Sequence, residues 1–181
     1  MREDTRSRIQ DVALRLFTEQ GYEATSLREI AEELGVTKAA LYYHFKTKDD
    51  IVASLVDSRL AELEELLAWF KGQPKTPEAR RELIERYAEL LRGTRHIGVH
   101  RFLERNQTAM RDHPTLIKTR ERMMELTTEM SEPGATPVER ISRSMALFSL
   151  HAGKWLLQES ELSEDEVHKA TLEVARRLLE P

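Results

Sequence analysis

Apolar residues recur along the chain at three- and four-residue intervals, the spacing of helix faces and not of strands. Ile9, Val12, Ala13, Leu16 and Phe17 make a first stripe, which ends at Gly21. Leu27, Ile30, Ala31 and Leu34 make a second, with Ser26 and Glu29 spaced as a capping box before it and Gly35 after it. Thr37 is placed to cap a short third helix carrying Ala40, Leu41 and Phe45. Thr47 is placed to cap a long fourth, whose stripe runs from Val52 through Leu55, Val56, Leu63, Leu66 and Leu67 to Phe70. Thr76 and Pro77 open a fifth helix that buries Leu83, Tyr87, Leu90 and Leu91.

The second half is patterned in the same way. Segments near 96–111 and 114–131 read as helical. Thr136–Glu139 and Ser163–Glu166 are capping boxes for two final helices, about 137–158 and 164–179. The first of these two is apolar on two sides. Val138, Ile141, Met145, Phe148, Ala152 and Trp155 form one face, and Leu147, Leu150 and Leu157 another. Such a helix is covered on both sides, which predicts that one face meets its own core and the other a partner chain. A central helix buried within a monomer is the alternative. Small residues at Ala146, Ser149, Ala152 and Gly153 predict close approach by a neighbouring helix.

Composition agrees with an all-α chain. The 181 residues include 24 leucines against fifteen valines and isoleucines, and only seven glycines and six prolines punctuate them. With no cysteine, thiol catalysis, thiolate zinc sites and iron–sulfur clusters are excluded. No apolar run approaches the roughly 20 residues of a membrane helix, and the N-terminus lacks a signal-peptide core. A soluble, cytoplasmic protein is therefore expected. Net charge is −4, and the first fifty residues hold eight Lys/Arg against ten Asp/Glu. Any nucleic-acid contact must come from a few well-placed cations.

Residues 26–48 supply such a placement. Ala31 is small enough for a second helix to cross closely, Gly35 suits a left-handed turn, and Val36 and Leu41 point inward. This is the pattern of a helix-turn-helix, whose second helix would present Lys38, Ala39, Tyr42 and Tyr43 to a major groove. His44, Lys46 and Lys48 extend that face. A solvated helix with tyrosines packed at its end is the plainer reading. His96 and His100 share a helix face with Glu104, but they lack a further ligand, so no metal and no cofactor is expected. Gly-rich phosphate loops, a Gly-x-Ser-x-Gly elbow and paired Glu-x-x-His motifs are all missing, so an enzyme is not expected.

Residues 6–56 resemble the N-terminal domain of the TetR family, the tetracycline-repressor-type bacterial regulators. The block from Gly35 through Thr37, Lys38, Leu41, Tyr42 and Tyr43 to Phe45 carries the resemblance, supported by Ile9, Phe17, Gly21, Tyr22, Thr25, Leu27, Ala31 and Lys48. The resemblance implies an all-α homodimer of about nine helices. A helix-turn-helix DNA-binding domain (1–47) would precede a helical ligand-binding and dimerisation domain (48–181). The last two helices would form a four-helix bundle with those of the partner. It also implies a repressor on a palindromic operator in double-stranded DNA, released when a small-molecule effector moves the fourth helix. A helical adaptor without sequence-specific DNA binding is the alternative.

Residue roles follow from that resemblance. Lys38, Ala39, Tyr42 and His44 would meet bases and flanking phosphates, with His44 alternatively satisfying a hydrogen bond at the helix end. Tyr43 and Lys48 would hold the DNA backbone. Thr25, Ser26 and Thr37, at helix N-termini, could hold phosphate. Arg28 would reach a base edge or pair with a nearby glutamate. The implied effector pocket draws on Trp69, Phe70, Tyr87, Phe102, Met110, Met123, Met124, Phe148 and Trp155, with polar contributions from Asn106, Arg120 and Thr127. Each of these also suits a plain helical core.

Overall fold

A computed structural model describes residues 5–92, 94–157 and 161–180, without the side chains of 94–97, 154 and 155. These residues form ten helices and no strand. They are α1 (Thr5–Glu19), α2 (Leu27–Leu34), α3 (Lys38–His44), α4 (Lys48–Lys71), α5 (Pro77–Leu90), α6 (Thr94–Arg105), α7 (Gln107–Met110), α8 (Pro114–Glu129), α9 (Pro137–Leu156) and α10 (Glu164–Leu179). The all-α expectation holds. The helix beyond the expected nine comes from the segment near 96–111, which breaks at Asn106 into α6 and the four-residue α7.

The chain packs as two compact units. The first holds the chain up to Ala61 together with the stretch ending at Thr119. The second holds Glu62–Arg92 and the chain from Arg120. In the first unit, α1, α2, α3 and the start of α4 bury Ile9, Ala13, Phe17, Ile30, Leu41, Phe45, Ile51 and Val52. Phe102 and Met110 belong to the same core. The rings of Phe17 and Phe102 lie 5.6 Å apart, and Tyr22 meets Phe17 edge-on at 5.2 Å. A lone Gly98 lets α6 lie against α1, because a Cβ there would stand 3.0 Å from Leu14 Cδ2.

The second unit packs α5, α9 and α10 with the later parts of α4 and α8. Leu63, Leu66, Phe70, Leu83, Ile84, Leu126, Leu147 and Leu150 are its interior. The caps read from sequence are in place. Thr136 and Ser163 each accept the backbone N–H of the glutamate three residues on, and each glutamate accepts the cap's own N–H. Such caps contribute on the order of 1 kcal/mol each by satisfying otherwise orphaned donors. Buried Arg80 ties three segments together. Its Nε donates to Met130 O at 2.8 Å, and its Nη2 pairs with Glu132 Oε1 at 2.5 Å. Arg143 pairs with the other oxygen of Glu132. The sequence carries a signal for this: Arg80 lies three and seven residues before Leu83 and Tyr87, on the buried stripe.

Candidate nucleic-acid interface

Local chemistry builds α2 and α3. Ser26 accepts the Glu29 N–H at 3.2 Å, and the Glu29 carboxylate accepts the Ser26 N–H at 2.7 Å. Hydrogen bonds to the carboxyl itself, from the Ser26 hydroxyl first and then from the Ser26 N–H, hold the Glu29 carboxyl below its usual range. α2 ends where Gly35 takes φ +66°, a left-handed conformation that a side chain would strain. From that turn the N–H of Val36 reaches Ala31 O at 3.0 Å and that of Gly35 reaches Glu32 O at 3.1 Å. Thr37 then caps α3 by accepting from Ala40 N–H at 3.2 Å. Ala31, Leu41 and Phe45 are buried, so one face of α3 is anchored and the other is left to solvent.

Two devices hold the end of α3. Lys46 Nζ donates to Tyr42 O at 2.5 Å, satisfying a late carbonyl of the helix. Asp50 Oδ2 accepts the N–H groups of Lys46 and Thr47, both at 2.9 Å, while Thr47 caps Asp50 N–H at 3.0 Å. The bond from Thr47 N–H leads in holding the Asp50 carboxyl below its ordinary value.

The outward face carries Lys38, Ala39 and Tyr43, all exposed, with Tyr43 at 81%. His44 is half-buried and meets the Tyr43 ring edge-on at 5.2 Å. Tyr42 is half-buried against the core, and the Lys38 ammonium lies 5.3 Å from its ring centre. Ser26 and Thr37 are exposed at their helix N-termini, with their side-chain oxygens already engaged in capping.

Three further residues expected at this face are engaged within the chain. Thr25 is 1% exposed and its hydroxyl donates to Gly21 O at 2.9 Å, so it braces the turn before α2. Arg28 pairs with Glu32 at 2.7 Å, with both side chains largely exposed. Lys48 Nζ donates to Tyr22 O at 2.6 Å and Glu23 O at 3.3 Å, and sits 4.4 Å from the Tyr22 ring centre. The Tyr22 hydroxyl in turn donates to Asp49. Burial, and then that bond to a carboxylate, push the tyrosine's ionisation well above its ordinary range.

The residues expected around an effector are divided between the two units. Phe102 and Met110 lie in the core of the first unit, and Asn106 hydrogen-bonds there. Phe70 and Tyr87 are buried in the second unit, with Trp69 and Met123 packed on its core. The Tyr87 hydroxyl meets His151 Nε2 at 2.6 Å. Arg120 is exposed. The Trp155 side chain lies outside the described residues. Met124, Thr127 and Phe148 do come together, in a groove of about 510 Å3 between α8 and α9 that Arg140, Ile141 and Met145 also line. Among the described residues, no group of three or more His, Asp or Glu is placed to hold a metal ion.

A helix, a left-handed glycine turn and a short helix with one exposed face define a helix-turn-helix protein. Residues 9–55 match the model of bacterial regulatory proteins of the tetR family. A segment of 76 residues is 50% identical to the HTH-type transcriptional regulator AcrR of Shigella flexneri, covering 40% of this chain and 35% of that protein. Another, of 62 residues, is 42% identical to the regulator SrpR of Pseudomonas putida, covering 34% and 29%. The matched segments thus span about a third of these curated relatives. The crystal structure of Mycobacterium smegmatis AmtR aligns over 98% of this chain and 87% of its own, at 28% identity and a TM-score of 0.74. The likeness to the tetR-family model thus lies in residues 9–55, and the likeness to AmtR extends along the whole fold.

Proposed function

We propose that this protein is a cytoplasmic, DNA-binding transcriptional regulator of the TetR type. As a homodimer it binds a palindromic operator through α2 and α3, and as a repressor it is released by a small-molecule effector. The carrying observation is the exposed face of α3. Lys38, Ala39 and Tyr43 project from a helix whose opposite face is fixed by Leu41 and whose entry is fixed by Gly35. A lysine and a phenol hydroxyl on a helix narrow enough for the major groove suit phosphates and base edges. Tyr42 and His44 flank that face. In functional terms residues 1–47 act as the DNA-binding domain and 48–181 as the effector and dimerisation domain.

The absence, among the described residues, of any helix long and apolar enough to cross a membrane accords with the proposed location. Dimerisation through α9 and α10 is supported by the exposed apolar face of α9. Val138, Ile141, Met145 and Phe148 recur at alternating three- and four-residue steps and are 42–73% exposed. That spacing makes a seam for a second helix.

The test is selection of bound duplexes from random DNA, followed by footprinting. The expected outcome is one palindrome with two protected half-sites about one helical turn apart, or slightly more. Failure to enrich any sequence at moderate salt would remove the reading and favour a helical adaptor.

A further inference from the structure

Asn106 occupies the N-cap position of α7, yet its side chain makes no bond to that helix. Its carboxamide is spent on the turn that follows α1. Oδ1 accepts the Tyr22 N–H at 2.8 Å, and Nδ2 donates to Phe17 O at 3.2 Å and to Phe102 O at 2.9 Å. Arg105, one residue earlier, donates from Nη1 to Thr18 O at 2.8 Å. The end of α6 therefore holds backbone groups of residues 17, 18 and 22.

The same turn is gripped from its other side. Lys48, the first residue of α4, takes the carbonyls of Tyr22 and Glu23, and Asp49 takes the Tyr22 hydroxyl. At Tyr22 the peptide N–H belongs to α6's end, and the carbonyl and phenol belong to α4's start. A body attached through one helix can swing about that attachment. A second attachment, off the axis of the first, removes the swing. Backbone groups held by a half-buried carboxamide make a stiff attachment, because leaving any one unpaired costs more than the bond itself contributes.

We infer that Asn106, assisted by Arg105, is a positioning residue that fixes the helix-turn-helix to α6 and thereby sets which separation between operator half-sites the dimer accepts. The inference rests on the proposed DNA-binding function and adds to it a determinant of spacing that lies away from the DNA-facing side chains. It also gives Asn106 a role different from lining an effector pocket.

The experiment uses the full-length protein and duplexes carrying two copies of its selected half-site, with the spacer changed by one and two base pairs either way. Wild type should prefer one spacer sharply. Asn106→Ala should flatten that preference by about three- to tenfold, the ratio expected on losing one or two net hydrogen bonds. Its affinity for a single half-site should stay within about twofold of wild type, because the residue touches no DNA-facing side chain. Arg105→Ala, at an exposed position that folding tolerates, should flatten the preference in the same direction by a smaller factor. A merely structural role would weaken every spacer equally and leave the ratio intact, and that outcome in both variants overturns the inference while leaving the regulator reading in place. If wild type itself enriches no DNA, the regulator reading falls and this inference falls with it.

Discussion

Gly153 of α9 faces Thr171 of α10 so closely that a Cβ on the glycine would stand 1.8 Å from the threonine Cγ2. The two helices meet backbone to side chain, with Thr171 Cβ next at 3.3 Å and Val167 Cγ1 at 3.7 Å. Gly153→Ala gains helix propensity but must push α10 away, and overpacking of this kind costs about 1–3 kcal/mol. A lowered denaturation midpoint is expected in urea. Adding Thr171→Ala, which removes the clashing methyl, should restore much of the loss, so the two changes combine non-additively. Additive losses would mean that the helices do not meet here.

Lys38 and Lys48 should separate cleanly. Lys38 is exposed on α3 with only the Tyr42 ring beneath it, so Lys38→Ala should leave stability within about 0.5 kcal/mol of wild type. Its effect should fall on which DNA sequences are enriched. Lys48→Ala removes a cation from two carbonyls and should cost about 1–3 kcal/mol of stability. It should weaken binding to all sequences alike. Thermal melts beside binding isotherms on two operators test both, and a Lys48 variant as stable and as tight-binding as wild type would refute its half.

The α9 seam gives a third prediction. Ile141 and Phe148 are exposed in the single chain, so Ile141→Glu and Phe148→Glu should leave the fold and helix content unchanged. Placing a carboxylate where an apolar side chain would be covered costs about 3 kcal/mol, or about a hundredfold in dimer affinity. Sedimentation at micromolar concentration should then find a species of 21.0 kDa. Persistence of a dimer in both variants would place the interface elsewhere.

Acid should expose the Glu132 junction. The Glu132 carboxyl is lowered from its ordinary 4.5 to about 2, first by a backbone hydrogen bond and then by Arg80, with Arg143 adding to it. A depressed carboxyl stabilises the fold fully above its unfolded value. That contribution is lost as pH falls from about 4.5 through 2. The carboxylate is 43% exposed, so solvent screening makes the effect modest. Glu132→Gln should flatten the fall in melting temperature across that window. An unchanged acid slope would show that other carboxylates carry it.

What the sequence made legible was whatever local chemistry decides. Ser26 with Glu29, Gly35, Thr37, Thr136 with Glu139 and Ser163 with Glu166 each act on backbone within a few residues, so their spacing alone marks the helix ends. The stripes of α1, α2 and α4 were legible for the same reason. Long-range partners were not. Lys48 and Thr25 are satisfied by main-chain carbonyls, which leave no trace in residue type. Asn106 stood out as a polar residue on an apolar stripe, but periodicity cannot say that the facing surface is the turn after α1. Phe102 and Met110 suited both pocket lining and core, and periodicity alone could not show that they pack with α1 and α2.

The cations of the first unit are largely committed to their own chain. Arg15 pairs with Glu19 and Glu33, Arg28 with Glu32, and Lys46 and Lys48 are taken by carbonyls. Carboxylates thus balance part of this unit's positive charge, and under the proposed function affinity without sequence preference would come mainly from the charge that remains. Its residence on the bulk of a chromosome would be brief. Under the proposed function, occupancy of an operator would then depend on recognition more than on electrostatic storage.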